Sequence, residues 1–293
     1  MTALRYNTAD LQAWAEFSGD FNPVHFDLAR AARLNLKAVP VHGMRVMLDV
    51  KAALFQEARR REWPEGALVF KAVLRAPVLR NAVYRFAIES RGNGLNFTVA
   101  DEERNTPCMT GHLRPLSTRN GSQRESIGIC GGEHAWHSFS ISRAERAAAI
   151  ALWPATSHGP ASAWLLLDAL LFSALLRQPG LFAQVSDFAG FACARSVDDL
   201  MQHATVLQTH HSTVISAEIQ RVDIDSTSAY GEADAIRCDI DTPVITGSGQ
   251  EGCVVQATLS AYAGTQFLLR TTVALMISPL SSSAKQLEQR ENV

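Results

Sequence analysis

Two stretches early in the chain decide its organisation, and both join ionisable side chains to residues that interrupt regular helix. The first reads Phe17-Ser18-Gly19-Asp20-Phe21-Asn22-Pro23-Val24-His25-Phe26-Asp27. The second reads Val41-His42-Gly43-Met44. Pro23 removes a backbone donor and restricts Asn22, so the first stretch is predicted to form a fixed loop after a helix that ends at Gly19. Such a loop can turn the Asp20 carboxylate and the His25 imidazole toward one point, as acid–base chemistry on a water molecule requires.

The second stretch opens an amphipathic helix. After His42-Gly43, apolar residues recur at helical spacing, namely Met44, Met47, Leu48, Ala52 and Leu54. We expect these side chains to fill the core. The first turn of a helix has unpaired N–H groups and a favourable dipole, so the Gly43 amide is a candidate donor to an oxygen that gains negative charge.

Together the two stretches resemble the hydratase motif of MaoC-like proteins, the (R)-specific enoyl-CoA hydratases and related hydroxyacyl dehydratases with hot-dog folds. The resemblance covers roughly residues 4–117 and rests on Ser18-Gly19-Asp20, Asn22-Pro23, His25 and His42-Gly43-Met44. Taken alone, the first motif could instead be a turn that caps the next helix. The resemblance implies that Asp20 and His25 are catalytic and that Gly43 serves the thioester. We expect Asn22 to position the loop or a water molecule, and His42 to hold neighbouring loop carbonyls.

Strand-like runs with period two follow the helix. They cover Val69–Leu74, Tyr84–Ile88, Leu95–Val99 and Cys108–Leu113, with a turn at Arg91-Gly92-Asn93-Gly94. A helix followed by antiparallel strands indicates an α+β layer in which the helix lies on a curved sheet. With the repeat described next, the predicted fold is a double hot-dog, in which two long central helices are each wrapped by an antiparallel sheet.

The pattern restarts after a Ser- and Gly-rich stretch. Ser142 begins a helix that matches the one predicted to be capped by Thr8, and His158-Gly159-Pro160 begins a second apolar helix, Ala161–Leu176. Further strand-like runs lie at Phe188–Arg195, Ala204–Gln220, Tyr230–Ile240, Cys253–Tyr262 and Phe267–Ile277. We predict a motif-bearing domain at 1–117, a linker at 118–133, a second domain at 134–280 without the catalytic loop, and a flexible tail at 281–293.

Other ionisable residues receive weaker interpretations. Asp168 resembles the acidic position of β-hydroxyacyl-ACP dehydratase helices and His158 precedes it, but a buried or interface acid in a degenerate site is the favoured interpretation. His203, His210 and His211 lie in a strand pattern that places adjacent rings on opposite faces, and we expect them at the surface or an interface. The cluster Arg59-Arg60-Arg61 suits either a solvated helix end or the phosphates of coenzyme A.

Composition excludes several classes of protein. The 293 residues carry a formal charge of −2, which argues against a nucleic-acid binder, and the longest apolar run, Trp164–Leu176, is too short to span a membrane. Five cysteines without paired spacing and no signal-like N-terminus predict a cytoplasmic protein. We expect no cofactor and no metal. The expected partner is an acyl-CoA or acyl-carrier-protein thioester, and a homodimer is compatible with the sequence.

Three functions are left open at this stage. The favoured one is hydration or dehydration at the α,β double bond of an enoyl or 3-hydroxyacyl thioester. A hot-dog thioesterase would direct water at the thioester carbonyl instead. A module that only binds acyl chains or acyl carriers would keep the fold without turnover, since one fold serves many activities.

Overall fold

The computed structural model describes residues 2–63, 65–116, 135–154, 162–191, 193–220, 235–248 and 251–280. The first half contains β1 (Thr2–Arg5), α1 (Thr8–Ser18), a 3-10 turn (Pro23–His25), α2 (Leu28–Arg33), α3 (Gly43–Arg60), β2 (Leu68–Leu74), β3 (Val83–Arg91), β4 (Gly94–Asp101) and β5 (Pro107–Pro115). The predicted helix at His42-Gly43 and the four predicted strands of this half are confirmed.

The second half repeats this order with additions. It contains β6 (Ala135–Ser142), α4 (Arg143–Ala151), α5 (Ala163–Leu176), α6 (Pro179–Ala189), α7 (Val197–Met201), β7 (Ala204–Ile215), α8 (Ala217–Gln220), β8 (Ala235–Asp241), β9 (Val244–Ser248), β10 (Gly252–Ala263) and β11 (Gln266–Pro279). The predicted apolar helix over 161–176 is confirmed from Ala163 onward. Its proposed start at His158-Gly159-Pro160 lies outside the described residues, as do 118–133 and 281–293.

All eleven described strands join one antiparallel sheet. Its order is β1-β3-β4-β5-β2-β7-β11-β10-β8-β6, and β9 adds to β10 as a hairpin. Read from either outer edge, the strands of each half appear in the same sequence: first, third, fourth, fifth and second, with β9 outside this repeat. The two second strands, β2 and β7, pair at the centre through partners such as Ala72 and His211. Each half packs one central helix, α3 or α5, on its part of the sheet, and this arrangement is the double hot-dog predicted from the repeat.

Local signals explain where the helices start and stop. Asn7, rather than the predicted Thr8, caps α1, because its side chain accepts from the N–H groups of Ala9 and Asp10. Gly19 ends the same helix in the left-handed region, at φ 75°, as predicted. Ser142 and Glu145 form the predicted capping box of α4.

Two strand predictions in the second half are wrong. Residues Phe188–Arg195 were expected to be extended, but α6 runs through Ala189 because its buried apolar residues recur at helical spacing, and Gly190 ends it at φ 68°. The predicted strand Ala204–Gln220 stops at Ile215, and the short helix α8 follows. Ser216 favours this break, since its hydroxyl accepts from the N–H of Ile219.

A cluster of buried polar groups joins the two halves beside the central strand pair. Lys51 on α3 donates to the carboxylate of Asp168 on α5. His211 and Thr213 on β7 and Thr271 on β11 surround the same carboxylate. The expectation that His211 lies at the surface or an interface needs correction: its side chain is buried within the seam between the halves, whereas His210 points to solvent.

The carboxylate of Asp168 remains ionised in this cluster. Burial by itself raises the pKa of a carboxylic acid, but the positive charge of Lys51 and the hydrogen-bond donors around Asp168 more than offset that effect, and its pKa lies below the ordinary value. Burial in turn lowers the pKa of Lys51, against the attraction of Asp168. The expectation of a buried, paired acid at this position is therefore confirmed.

In the part of the chain that the structure describes, no single helix has the length and apolar character needed to cross a membrane. The helices α5 and α6 reach that length and apolarity only as a pair, with a bend of 52° between them.

We predict that Asp168→Asn lowers the free energy of unfolding by about 3–5 kcal/mol, because it leaves the Lys51 ammonium buried without a counter-charge. Urea unfolding followed by tryptophan fluorescence measures this change. The double variant Lys51→Met with Asp168→Leu should recover part of the loss, since it removes the unpaired charge, while His211, Thr213 and Thr271 lose the carboxylate as a partner.

The control for this prediction is Glu57→Gln. Glu57 also lies on α3 and pairs with Arg60 and Arg61, but in solvent, so its loss should cost less than about 1 kcal/mol. An Asp168→Asn variant that is no less stable than Glu57→Gln would contradict the account of the buried cluster.

Candidate active site

The loop after α1 is fixed at its entry by the second half of the protein. The Gly19 N–H donates to the carbonyl of Ala15 at 2.7 Å, and Arg177, at the end of α5, donates to the carbonyl of Ser18 at 2.8 Å. A Cβ on Gly19 would lie 2.8 Å from the Arg177 guanidinium. Positive φ and this close contact together require glycine here.

Asn22 shapes the middle of the loop. Its side-chain oxygen accepts from the Val24 N–H at 3.1 Å and caps the 3-10 turn that begins at Pro23. Its own N–H lies 3.4 Å from a carboxylate oxygen of Asp20. The Asn22 side chain is thus occupied by the backbone, which agrees with the expectation that it positions the loop.

His25 presents a free ring nitrogen. Its Nδ1 lies 2.8 Å from the carbonyl oxygen of Pro40, and a carbonyl can only accept, so Nδ1 carries the proton and Nε2 keeps its lone pair. The Pro40 segment is itself held by a 2.7 Å hydrogen bond from Val41 N–H to Val78 O. Burial lowers the pKa of His25, with the charge of Asp20 and the Pro40 hydrogen bond acting in the opposite direction.

His42 contacts both Asp20 and His25. Its Nε2 donates to the backbone carbonyl of Asp20 at 3.0 Å and lies 4.0 Å from the Asp20 carboxylate. Its ring stacks on that of His25 with centroids 3.7 Å apart. Burial, followed by the neighbouring His25, places the pKa of His42 well below its ordinary value. A neutral His42 that holds a loop carbonyl agrees with the role expected for it.

The Asp20 carboxylate completes the group. Burial raises its pKa, and the charge of His25 and the N–H of Asn22 lower it. One potential metal-ligand atom from each of Asp20, His25 and His42 lies within 4.8 Å of the other two. Two of the four ring nitrogens already face carbonyl oxygens, however, so the arrangement suits proton transfer better than a metal ion. The expectation of a metal-free site stays a prediction.

These side chains line a cavity of about 250 Å³ at the start of α3. No side chain caps the first turn of α3, and Gly43 also lines the cavity. A Cβ on Gly43 would lie 2.6 Å from the side chain of Leu74, so this close packing favours glycine at the first turn, whose N–H groups are open. The site thus combines a neutral imidazole, a carboxylate and a helix N-terminus around one cavity.

The second half supplies much of the cavity wall, which sequence reasoning did not assign residue by residue. Its contribution is Phe172, Leu176, Val197, Met201, Val206, Leu207, Gln208, Thr209, Leu275 and Met276. The pairing of β2 with β7 places the two halves side by side, so that these residues reach the loop after α1. The helix α7, which has no counterpart among the described elements of the first half, adds Val197 and Met201.

Asp168 and the arginine cluster lie apart from the cavity. His158 is outside the described residues, and Asp168 is sealed in the cluster with Lys51 and His211. The cluster Arg59–Arg61 lies at the opposite end of α3 from Gly43, where Arg60 and Arg61 pair with Glu57 at 2.7 Å. This environment agrees with a solvated helix end, and the coenzyme A interpretation of the cluster stays a prediction.

Comparison with known proteins shows what the first half is similar to. Residues 2–110 match the family model described as MaoC like domain. No curated protein sequence matches the chain. Among solved structures, a MaoC-like dehydratase aligns at 12% identity with a TM-score of 0.46, covering 95% of this chain and 96% of its own.

Two more structures illustrate the range of similar proteins. A 12:0-ACP thioesterase from Umbellularia californica aligns at 13% identity and a TM-score of 0.42, covering 95% of this chain and 93% of its own. A Mycobacterium tuberculosis protein described as having a double hotdog fold aligns at 9% identity and a TM-score of 0.43, with 94% of each chain covered. At such values the fold assignment rests on the strand order of this chain itself. Over residues 2–110, the first half of the protein is similar to the MaoC like domain family.

Proposed function

We propose that this protein adds water to, or removes it from, the α,β double bond of an acyl thioester, as an enoyl-thioester hydratase or 3-hydroxyacyl-thioester dehydratase. One observation carries the proposal: His25, whose Nδ1 donates to the Pro40 carbonyl and whose Nε2 keeps its lone pair, has a ring nitrogen within 4.8 Å of an Asp20 carboxylate oxygen in a largely apolar cavity. The MaoC-like domain match over 2–110 supports the same reaction class. The substrate class is an enoyl or 3-hydroxyacyl group on coenzyme A or on an acyl carrier protein.

In this proposal Asp20 and His25 act on one water molecule. The water donates one hydrogen bond to each residue, and its oxygen forms a bond to the β-carbon while His25 Nε2 takes a proton. His25 then gives that proton to the α-carbon, so one H and one OH are added and the histidine returns to its neutral state. Dehydration follows the same path in reverse.

Gly43 is the proposed donor to the thioester carbonyl. Attack at the β-carbon moves electrons onto the carbonyl oxygen, which becomes enolate-like and needs hydrogen-bond donors already aimed at it. The first turn of α3 has no side-chain cap and opens into the cavity, so its N–H groups and the helix dipole can serve this oxygen. Asn22 and His42 hold the loop and transfer no proton.

The second half completes the cavity, and we propose that its described residues contain no catalytic pair. We propose domain limits of 1–117 and 134–280, joined by a linker at 118–133. Support comes from the repeated strand order and from Asp168, the one acid on α5, which is buried and ion-paired away from the cavity. Arg177 on the second half also holds the loop that carries Asp20.

The first experiment separates the three functions. Purified protein is incubated with crotonyl-CoA while enoyl absorbance and free thiol are recorded together. Loss of absorbance without thiol indicates hydration, and thiol release indicates the thioesterase. If neither signal changes with crotonyl and longer enoyl thioesters, hydration is not the activity of this protein.

We predict that Asp20→Asn and His25→Ala each lower kcat by at least about 100-fold, because each removes a positioned acid–base group. Steady-state rates with the same enoyl thioester measure the loss, and circular dichroism verifies that both variants fold. A matched control is Asp10→Asn, an acid near the start of α1 and outside the cavity. Near-parental rates in either site variant would refute the assignment.

The pH dependence should follow His25. Hydration needs its neutral form, and burial lowers its pKa below the ordinary 6.5, so kcat/KM should stay high down to pH values below 6.5 and then fall as His25 takes a proton. NMR titration of the His25 ring should give a pKa in the same acidic range. Because the Asp20 charge raises this pKa, Asp20→Asn should lower it further. An acidic limb centred above pH 7 would be inconsistent with this environment.

A further inference from the structure

A β-bulge on β7 brings two polar side chains of the second half into contact. The register between β7 and β11 shifts at Leu275, which lies opposite Gln208, and Thr209 is the extra residue. In a regular strand, residues three positions apart point to opposite faces. Because of the bulge, Gln208 and His211 share one face, and Nε2 of the Gln208 amide lies 3.2 Å from Nδ1 of His211.

The contacts of His211 place its ring proton on Nε2. This nitrogen lies 3.2 Å from each carboxylate oxygen of Asp168 and 3.1 Å from the hydroxyl of Thr213. The ionised carboxylate can only accept, so a proton on Nε2 is donated to it. The Lys51 ammonium, 3.0 Å from the same nitrogen, directs a proton of its own to Asp168. Burial and the charge of Lys51 lower the pKa of His211, so the ring is neutral and Nδ1 keeps a lone pair.

The lone pair on His211 Nδ1 fixes the direction of the Gln208 amide. The NH2 group of Gln208 donates to this lone pair, so the amide oxygen points the other way. That oxygen lies 3.3 Å from the position that a Cβ on Gly43 would take, and Gln208 lines the cavity together with Asp20 and His25. Within the described parts of the chain, no group donates to it. The cavity therefore contains a directed acceptor beside the N–H groups of the first turn of α3.

An acceptor at this point decides which group of an acyl thioester lies against it. The thioester carbonyl oxygen can only accept, so the Gln208 oxygen repels it toward the N–H of Gly43. Coenzyme A and acyl carrier proteins both present the acyl group on a pantetheine arm, whose first amide N–H lies two methylene groups beyond the sulfur. This N–H is a donor, and it lies on the side of the carbonyl opposite to the β-carbon. A ligand held by Gly43 thus brings this donor to the neighbourhood of Gln208.

We propose that the side-chain oxygen of Gln208 accepts a hydrogen bond from the first amide N–H of the pantetheine arm, with His211 as the positioning residue that fixes the direction of the Gln208 amide. The amide N–H takes no part in the reaction, so this hydrogen bond contributes to the binding of pantetheine thioesters and leaves the barrier unchanged. The inference rests on the proposed function for its substrate. It assigns a specificity-determining residue to the second half of the chain.

Two ligands that differ in this one group test the hydrogen bond. The S-butyryl thioester of N-acetylcysteamine carries the amide N–H, and its analogue has an ester oxygen in that place. Neither ligand has a double bond or a hydroxyl on its acyl chain. NMR titration of the parent protein should give a Kd at least about tenfold lower for the amide, because the ester sets a second acceptor against the Gln208 oxygen. Equal Kd values for the two ligands would overturn the proposal.

The variant Gln208→Leu tests whether this residue causes the discrimination. Leucine fills similar space without an acceptor, so the Kd values of the amide and the ester should agree within about twofold. The matched control is Gln256→Leu, the same substitution on β10 at an exposed position outside the cavity, and it should keep the parental preference. Circular dichroism verifies the fold of both variants. A preference for the amide that persists in Gln208→Leu would assign the N–H to another acceptor and overturn the proposal.

Kinetics separate a binding role from a catalytic one. With the crotonyl thioester of N-acetylcysteamine, Gln208→Leu should raise KM about tenfold and change kcat by less than about threefold, because the interaction is the same in the ground state and the transition state. A large loss of kcat at parental KM would overturn the binding role. A parent protein without hydration activity would refute the proposed function, whereas the Kd comparison with the saturated ligands would still decide the role of Gln208.

The positioning role of His211 has its own readout. Its ring ¹⁵N chemical shifts should report a proton on Nε2 and a lone pair on Nδ1 in the parent protein. The same pattern should persist in Gln208→Leu, because the Asp168 carboxylate still accepts from Nε2. A proton on Nδ1 in the parent protein would turn the amide oxygen of Gln208 toward His211 and overturn the proposal.

Discussion

The ion pair between Lys51 and Asp168 is the interaction on which the assembly of this protein depends. It is fully buried and joins the central helices of the two halves. Burial of either charge without its partner would cost several kcal/mol of folding free energy. Each central helix therefore depends on the other for its stability. The pairing of β2 with β7 adds backbone hydrogen bonds at the same seam and closes two edges that would otherwise be exposed. The site depends on both, because its wall comes from both halves.

The loop with Asp20 and His25 is held by groups that do not react. Arg177 and Gly19 fix its entry, Asn22 caps its turn, and the Pro40 carbonyl sets the tautomer of His25. Each contact satisfies a backbone or side-chain polar group, so the loop is rigid although it is irregular. Such rigidity is what acid–base chemistry requires, since a proton donor or acceptor must already lie at hydrogen-bond distance.

The sequence predicts the parts of the site that are local and leaves out the parts that depend on the seam. Some signals act within a few residues of their own position, namely Gly19, Pro23 and His42-Gly43. Their pattern was sufficient to predict the loop after α1, the start of α3 and the approach of His25 to Asp20. Gln208 faces the cavity only because Thr209 is a bulge, and no local pattern marks it. His211 resembles an ordinary strand histidine until Lys51 approaches from the other half of the chain. The prediction for Phe188–Arg195 failed because aromatic and small apolar residues suit either period over so short a run.

The shared strand order of the two halves has a consequence for symmetry. A dimer of identical subunits with the same central pairing would repeat every contact about its two-fold axis, so a single lysine–aspartate pair could not form at the seam without a second copy. In a single chain the two copies can differ, and one helix carries the ammonium while the other carries the carboxylate. The same covalent link makes the seam independent of protein concentration. Fusion of the halves thus allows an asymmetric interior that a symmetric pair could not build.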